Sequence, residues 1–381
     1  MTFLDPSLRQ TPTGFAKLLH VNWALLALLG AIACAGFLML YSVADGSLEP
    51  WARRQMIRFG IGVALMLAVG FIHIRFWRSM APVAYLGGLM LLVFVEFFGA
   101  EGKGAQRWID IGFIQLQPSE PMKIAVVMML ALYYDWLPPE KVSRPQWLVL
   151  PVIVTLIPMA LVLKQPDLGT AILIGAGAGF VMFMAGVSVW YFAAAVGAAA
   201  GLVSTVMMSR GTDWQILKDY QYKRIETFLN PENDPLGAGY HITQSKIALG
   251  SGGLSGRGFM EGTQTRLNFL PEKHTDFIFT TLAEEFGFVG SVTLLLLYAL
   301  VVVFVMVSAL RNASRFGALL TAGIGATFFF FFSVNMAMVM GLIPVVGVPL
   351  PLVSYGGSAM LVLMAGFGLV QSAHIHRPRG N

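Results

Sequence analysis

The stretch "DFIFTTLAEEFGFVGSVTLLLLYALVVVFVMV" (276–307) decides the fold. From Phe286 to Val307 it carries no charged side chain. At 1.5 Å rise per residue such a run crosses the roughly 30 Å hydrocarbon core of a bilayer. Similar runs recur from end to end, at 21–43, 56–73, 80–98, 121–137, 147–164, 168–186, 188–208, 285–310, 316–340 and 354–373. The chain is 56% hydrophobic and 12% charged, with a mean hydropathy of +0.71 over its 381 residues. These values exclude an ordinary soluble domain. The reading is an all-α polytopic integral membrane protein with about ten transmembrane helices and one large loop, 209–284, between helices 7 and 8. The whole chain, 1–381, forms a single membrane domain.

An even number of spans puts both termini on one side. The connectors on that side carry Arg9 and Lys17, Arg75 and Arg78, Lys141 and Arg144, Arg311 and Arg315, and Arg377 and Arg379. Five basic connectors on one side mark it as cytoplasmic by the positive-inside bias. Arg53, Arg54 and Arg58 fall on the opposite side and dissent from this pattern. A net charge of +5 fits membrane anchoring, and no nucleic-acid partner is expected. Cys34, the single cysteine, lies inside the first apolar run, so no intrachain disulfide is expected. No small-residue cleavage site follows that run, so it reads as a retained helix.

The outer side receives the polar material: 99–120, "KQPDLG" (164–169), 209–284 and 341–358. Ser119 and Asp167 suit helix N-caps. Helix N-termini also suit phosphate, and Glu120 with Asp167 could hold a divalent cation, Mg²⁺ or Mn²⁺. Lys123 lies one turn inside its helix, where an ionisable group is a functional candidate. His274 and Asp276 lack a third ligand at metal spacing. Asp276 reads either as a helix cap or as a carboxylate whose partly apolar neighbours, Phe277 to Phe279, raise its pKa toward that of a general base. "PLPLVSYGGSAM" (349–360) offers Ser354 and a Gly pair that serve equally a helix start or close backbone approach to a ligand.

Five elements then occur in order along the chain: "GAQRWIDIGFIQLQPSEPMK", "KQPDLGTA", "RIETFLNPENDPLGAGYHITQSKIALGSGGLSGRGF", "GTQTRLNFLPEKHTDFIF" and "PLPLVSYGGS". Together they resemble the SEDS family of shape, elongation, division and sporulation proteins, with wording nearer its elongation branch than its division branch. The resemblance implies a peptidoglycan glycosyltransferase that polymerises lipid II at the outer face of the bacterial cytoplasmic membrane. It implies a class B penicillin-binding protein and the elongation machinery as partners, and a glycan carried on undecaprenyl diphosphate. The family's functional Asp maps onto Asp276. Lys123, Arg107 and Arg224 are the candidates for the departing diphosphate, with Glu120, Asp167, His274 and Ser354 around them. No cofactor is required by this reading beyond the candidate cation. A flippase for the lipid-linked precursor is the rival class, but transporters place sites at the midplane between repeats, whereas these polar residues gather on one face.

Overall fold

The structure, a computed structural model, describes residues 14–102, 105–110, 112, 115–212, 215, 222, 238–267, 269 and 272–377. Ten long helices are present at the expected places: α1 (Trp23–Val43), α2 (Ala52–Phe71), α3 (Ile74–Phe98), α4 (Ser119–Trp136), α5 (Pro145–Lys164), α6 (Leu168–Ala185), α7 (Val189–Met208), α9 (Ile278–Leu310), α10 (Arg315–Val339) and α11 (Ser358–Ile375). A shorter helix, α8 (Ala238–Ser251), lies within the large loop. Among the described residues, nine helices are long and apolar enough to cross a membrane. The remaining long helix is α4, which carries Glu120, Lys123 and Asp135. Its sides are enclosed by α3, α6 and α10, so its charges face protein rather than lipid. The chain is thus a multi-pass, all-α membrane protein.

α10 and α11 form the centre, each with 67% of its apolar window buried, whereas α7 has none buried. Small residues set the closest crossings, as expected where helices associate in lipid. A Cβ on Gly368 of α11 would stand 2.7 Å from the Val69 side chain and 2.8 Å from the Met66 carbonyl of α2. Any larger residue there would drive these two helices apart.

Three departures from the expected spans have physical causes. α9 begins at Ile278, seven residues before the expected 285, because the polar "TTLAEE" is helical. Glu284 and Glu285 are fully buried there. Thr263 Oγ1 and Gln264 N donate to Glu284 Oε1, each at 3.0 Å, and Ser42 Oγ donates to Glu285 Oε1. α11 begins at Ser358 because Pro349, Pro351 and the Gly356–Gly357 pair keep the preceding chain out of the helix. The segment expected only as loop before α4 holds three short strands, β1 (Ala100–Gly102), β2 (Ala105–Asp110) and β3 (Gln115–Leu116), paired antiparallel in the order β1-β2-β3.

α9 is broken at Gly287, whose φ of +64° and ψ of −156° are accessible mainly to glycine. The Gly-rich loop 252–258 runs alongside and completes the interrupted hydrogen bonding. Arg257 N and Gly258 N donate to the carbonyls of Glu284 (3.0 Å) and Glu285 (3.1 Å). Phe288 N and Val289 N donate to those of Gly253 (2.9 Å) and Leu254 (3.1 Å). Broken helices inside membrane proteins persist where protein groups satisfy the freed backbone in this way.

At the end of the bundle with the basic connectors, Lys17 Nζ donates to Phe71 O (2.7 Å) and Arg78 pairs with Asp135 (2.7 Å). The rings of His73 and His376 lie 4.5 Å apart. Burial lowers the His376 pKa to about 4, the Ser372 carbonyl opposes this, and His73 and Lys17 add to it. His73 is lowered by burial, then by Arg75 and Lys17. The folded state therefore holds His376 neutral while the unfolded chain takes up a proton below its ordinary value of 6.5. Stability from this site is complete above pH 6.5 and is lost as pH falls toward 4. By pH 5 the loss is on the order of 2 kcal/mol. Thermal unfolding of purified protein between pH 7 and 5 should show this decline, and His376→Gln should flatten it. An unchanged slope in that variant would contradict the assignment.

Candidate active site

The other end of the bundle encloses a cavity of about 660 Å³. Its wall is assembled from the start of α2, strand β2, the N-termini of α4 and α6, the turn before α9 and the coil before α11. Arg107, Glu120, Asp167, His274 and Asp276, five of the expected residues, line it together.

Each is held by local chemistry. Asp167 caps α6: Thr170 N and Thr170 Oγ1 donate to its two oxygens at 3.0 and 2.9 Å, and Gln117 Nε2 adds a third bond at 2.9 Å. Gln117 comes from the start of α4, so this carboxylate ties two helix N-termini together. Arg107 donates through Nε to Gln165 O (2.8 Å) and through Nη2 to Pro166 O (2.6 Å), bracing the turn that delivers Asp167. Glu120 accepts from Lys123 Nζ at 2.8 Å, three residues along the same helix, with both groups buried. Lys123 Nζ also lies 4.1 Å from the centroid of the Phe331 ring. Lys123 therefore sits behind the wall, neutralising Glu120 in a desolvated place where a lone carboxylate would be costly.

The turn bearing Asp276 is pinned from several directions. Thr275 Oγ1 donates to Glu272 Oε2 (2.7 Å), and Ser354 Oγ donates to Thr275 O (2.5 Å) while accepting from Leu350 N (2.7 Å). Ser354 thus stands outside the cavity and shapes its wall. His274 stacks on Trp51 with centroids 4.6 Å apart, and its carbonyl accepts from Tyr355 N at 2.9 Å. Asn335 Nδ2 donates to Asp276 O at 2.9 Å. Lys273 Nζ donates to Thr265 O at 2.9 Å, and burial lowers the pKa of its ammonium while Asp45 opposes that shift.

Two capping expectations are corrected. Ser119 is the first residue of α4 rather than its cap, and its hydroxyl is buried without a partner among the described residues. Phe277 occupies the cap position of α9 without a side-chain bond, so Asp276 does not cap that helix. Arg224 lies outside the described residues. Among the described residues no group of three or more His, Cys, Asp or Glu is arranged to hold a metal ion.

Sequence reasoning missed Arg54, Arg58, Trp108 and Tyr355, all of which line the cavity. The Arg58 guanidinium lies 4.8 Å from the Tyr355 ring centroid, and its Nη1 is buried without a partner among the described residues. The signal was present: the Arg53–Arg58 cluster contradicted the positive-inside pattern, and charges that break a topological rule need another purpose. Asn335 was missed too, although a lone Asn inside an apolar run is costly in the same sense.

Packed membrane helices with a mixed-charge cavity at one end define a class rather than a protein. The family model described as "Cell cycle protein" (FtsW, RodA, SpoVE) matches residues 16–379. The chain belongs to that family, the SEDS proteins. It is 44% identical over 360 residues to peptidoglycan glycosyltransferase MrdB of Escherichia coli K12, covering 94% of each chain. It is 32% identical to peptidoglycan glycosyltransferase RodA of Treponema pallidum, covering 92% of this chain and 96% of that one. Among solved structures, it is similar to the rod shape determining protein RodA of Thermus thermophilus (TM-score 0.71, 29% identity, 94% and 98% covered). It is also similar to a chain of a peptidoglycan synthase complex described as coordinating polymerization and crosslinking (TM-score 0.80, 32% identity, 94% and 99% covered).

Proposed function

We propose that this chain is the peptidoglycan glycosyltransferase of a bacterial cytoplasmic membrane, acting in cell elongation. In this reading both termini are cytoplasmic and the cavity opens at the outer face. One observation carries it: a single cavity is lined by a carboxylate, Asp276, and by a guanidinium, Arg58, with a buried donor unpaired among the described residues. Glycosyl transfer from a diphosphate donor needs a base for the acceptor and cationic donors for the leaving group. Asp276 removes the proton from the 4-hydroxyl of the acceptor GlcNAc. That oxygen attacks the anomeric carbon of the donor MurNAc in lipid II, and the bond to the diphosphate oxygen breaks. Undecaprenyl diphosphate departs with the electron pair, and one displacement inverts the α-linked donor to a β-1,4 glycan without a covalent enzyme intermediate. Arg58 and Arg54 face the departing diphosphate, and Arg107 adds positive charge while bracing the turn at Asp167.

Glu120 and Asp167 act by positioning. A Mg²⁺ or Mn²⁺ ion between them would compete with Lys123 for one and with Gln117 and Thr170 for the other, so metal-independent synthesis is expected. A class B penicillin-binding protein is the partner, a reading supported by similarity to a chain from a complex that couples polymerization to crosslinking.

Purified protein given lipid II, with and without the partner and divalent cation, should make glycan. Absence of polymer under all conditions would overturn the assignment. Orientation is read separately. Glu261→Cys in a Cys34→Ser background should react with an impermeant thiol reagent in intact spheroplasts, and labelling only after lysis would reverse the sidedness.

A further inference from the structure

Asn335 lies near the end of α10 in the run "FFFFFSVNMAMVM" (328–340) and is fully buried. Its Nδ2 donates to two carbonyls, Asp276 O at 2.9 Å and Val348 O at 2.7 Å. Asp276 and Val348 both line the cavity, and each belongs to a non-helical segment, one before α9 and one before α11. One amide group therefore joins two walls of the site that are distant in sequence. The two segments meet at the carboxylate itself, since a Cβ on Gly347 would lie 3.8 Å from Asp276 Oδ2.

We propose that Asn335 is a positioning residue for Asp276, setting the carboxylate's place against the wall that carries Val348. This rests on the assignment of Asp276 as the base. The amide is not optimised for stability alone. Its Oδ1 is buried without a partner among the described residues, and an unpaired buried acceptor is destabilising. A leucine of similar size would suit the Met and Phe neighbours and remove that defect, but it would release both carbonyls, and each left buried and unpaired is destabilising in turn. Ser354 on Thr275 O and Tyr355 N on His274 O hold the two residues before Asp276, and Asn335 ties the end of the same turn to α10 and to the Val348 wall. A shift of about 1 Å at a reacting group is enough to cost on the order of 100-fold in rate.

The test is lipid II polymerisation by Asn335→Leu and Asn335→Gln beside wild type and Asp276→Asn, with thermal unfolding measured for each. Asn335→Leu should lose roughly 10- to 100-fold in kcat, keep KM within about 3-fold and unfold somewhat earlier than wild type, because two freed carbonyls outweigh the one acceptor removed. Asn335→Gln, which keeps both N–H donors on a longer arm, should recover part of the rate. A wild-type kcat in Asn335→Leu overturns the proposal. So does a kcat that returns to the wild-type value when expressed per folded protein, or a Leu variant that does not accumulate, because each makes Asn335 merely structural. If Asp276→Asn is inactive while Asn335→Leu is normal, only this inference fails. If Asp276→Asn is itself active, the base assignment fails first.

Discussion

Asp276→Asn should abolish nearly all glycan synthesis, by about 10²–10⁴-fold, the range a general base supplies. The substitution is close to isosteric and removes the proton-accepting carboxylate. Asn335 holds the backbone carbonyl of Asp276 rather than its side chain, and the cap position of α9 belongs to Phe277. The variant should insert and still copurify with the proposed crosslinking partner. Glu272 is the informative control, because it lines the same cavity four residues earlier. Its carboxylate accepts from Thr275 Oγ1 at 2.7 Å, a bond that Gln can also accept, so Glu272→Gln should lose less polymerisation than Asp276→Asn. Polymerisation at matched protein levels decides between them. Near-normal polymer from Asp276→Asn with an inactive Glu272→Gln would transfer the base role to Glu272. Loss of partner binding alone would favour a scaffold.

Arg58→Gln should lower kcat by about 10²-fold, the cost of removing one preorganised donor from a developing anion. In the ground state the guanidinium is held over Tyr355 at 4.8 Å, with Nη1 buried and unpaired among the described residues. Keeping such a donor dry is unfavourable. The guanidinium lines the cavity, where charge-assisted hydrogen bonds to the departing diphosphate would form. Arg58→Lys should regain only part of the rate, because an ammonium supplies the charge without the planar fork. Stability should change little in either variant, since the lost cation–π contact is worth about 0.5–1 kcal/mol at a partly exposed position. Single-turnover polymerisation reads the step directly. An Arg58→Gln enzyme with normal kcat and raised KM would make Arg58 a binding group that does not distinguish the transition state.

How far the sequence reaches is seen best in individual residues. The spans were legible because bilayer thickness turns membrane crossing into a question of local length and polarity. The ends that missed show the limit of that criterion. Glu284 and Glu285 look like loop residues by hydropathy, yet they are helical and buried because Thr263, Gln264 and Ser42 reach them from elsewhere in the chain. Asp167 was readable as a cap, since its partner Thr170 is three residues away. Its bond to Gln117 was not readable, being 50 residues distant. The resemblance of five ordered motifs marked Asp276. Composition and periodicity alone stop at a membrane protein with a polar end.

Sequence by itself determined the approximate placing of the membrane helices, the basic end of the bundle and the cap at Asp167, because each depends on neighbours within a few turns. Tertiary structure alone decided which polar residues share a cavity. It brought Arg58, Arg107, Asp167 and Asp276 together from α2, β2, α6 and the turn before α9. It placed Lys123 against Glu120 and Phe331 behind the wall, and it set Asn335 across two loops. Those choices follow from how helices far apart in the chain pack. A buried charge or amide takes the partner that packing brings within hydrogen-bond reach, whatever stands beside it in sequence.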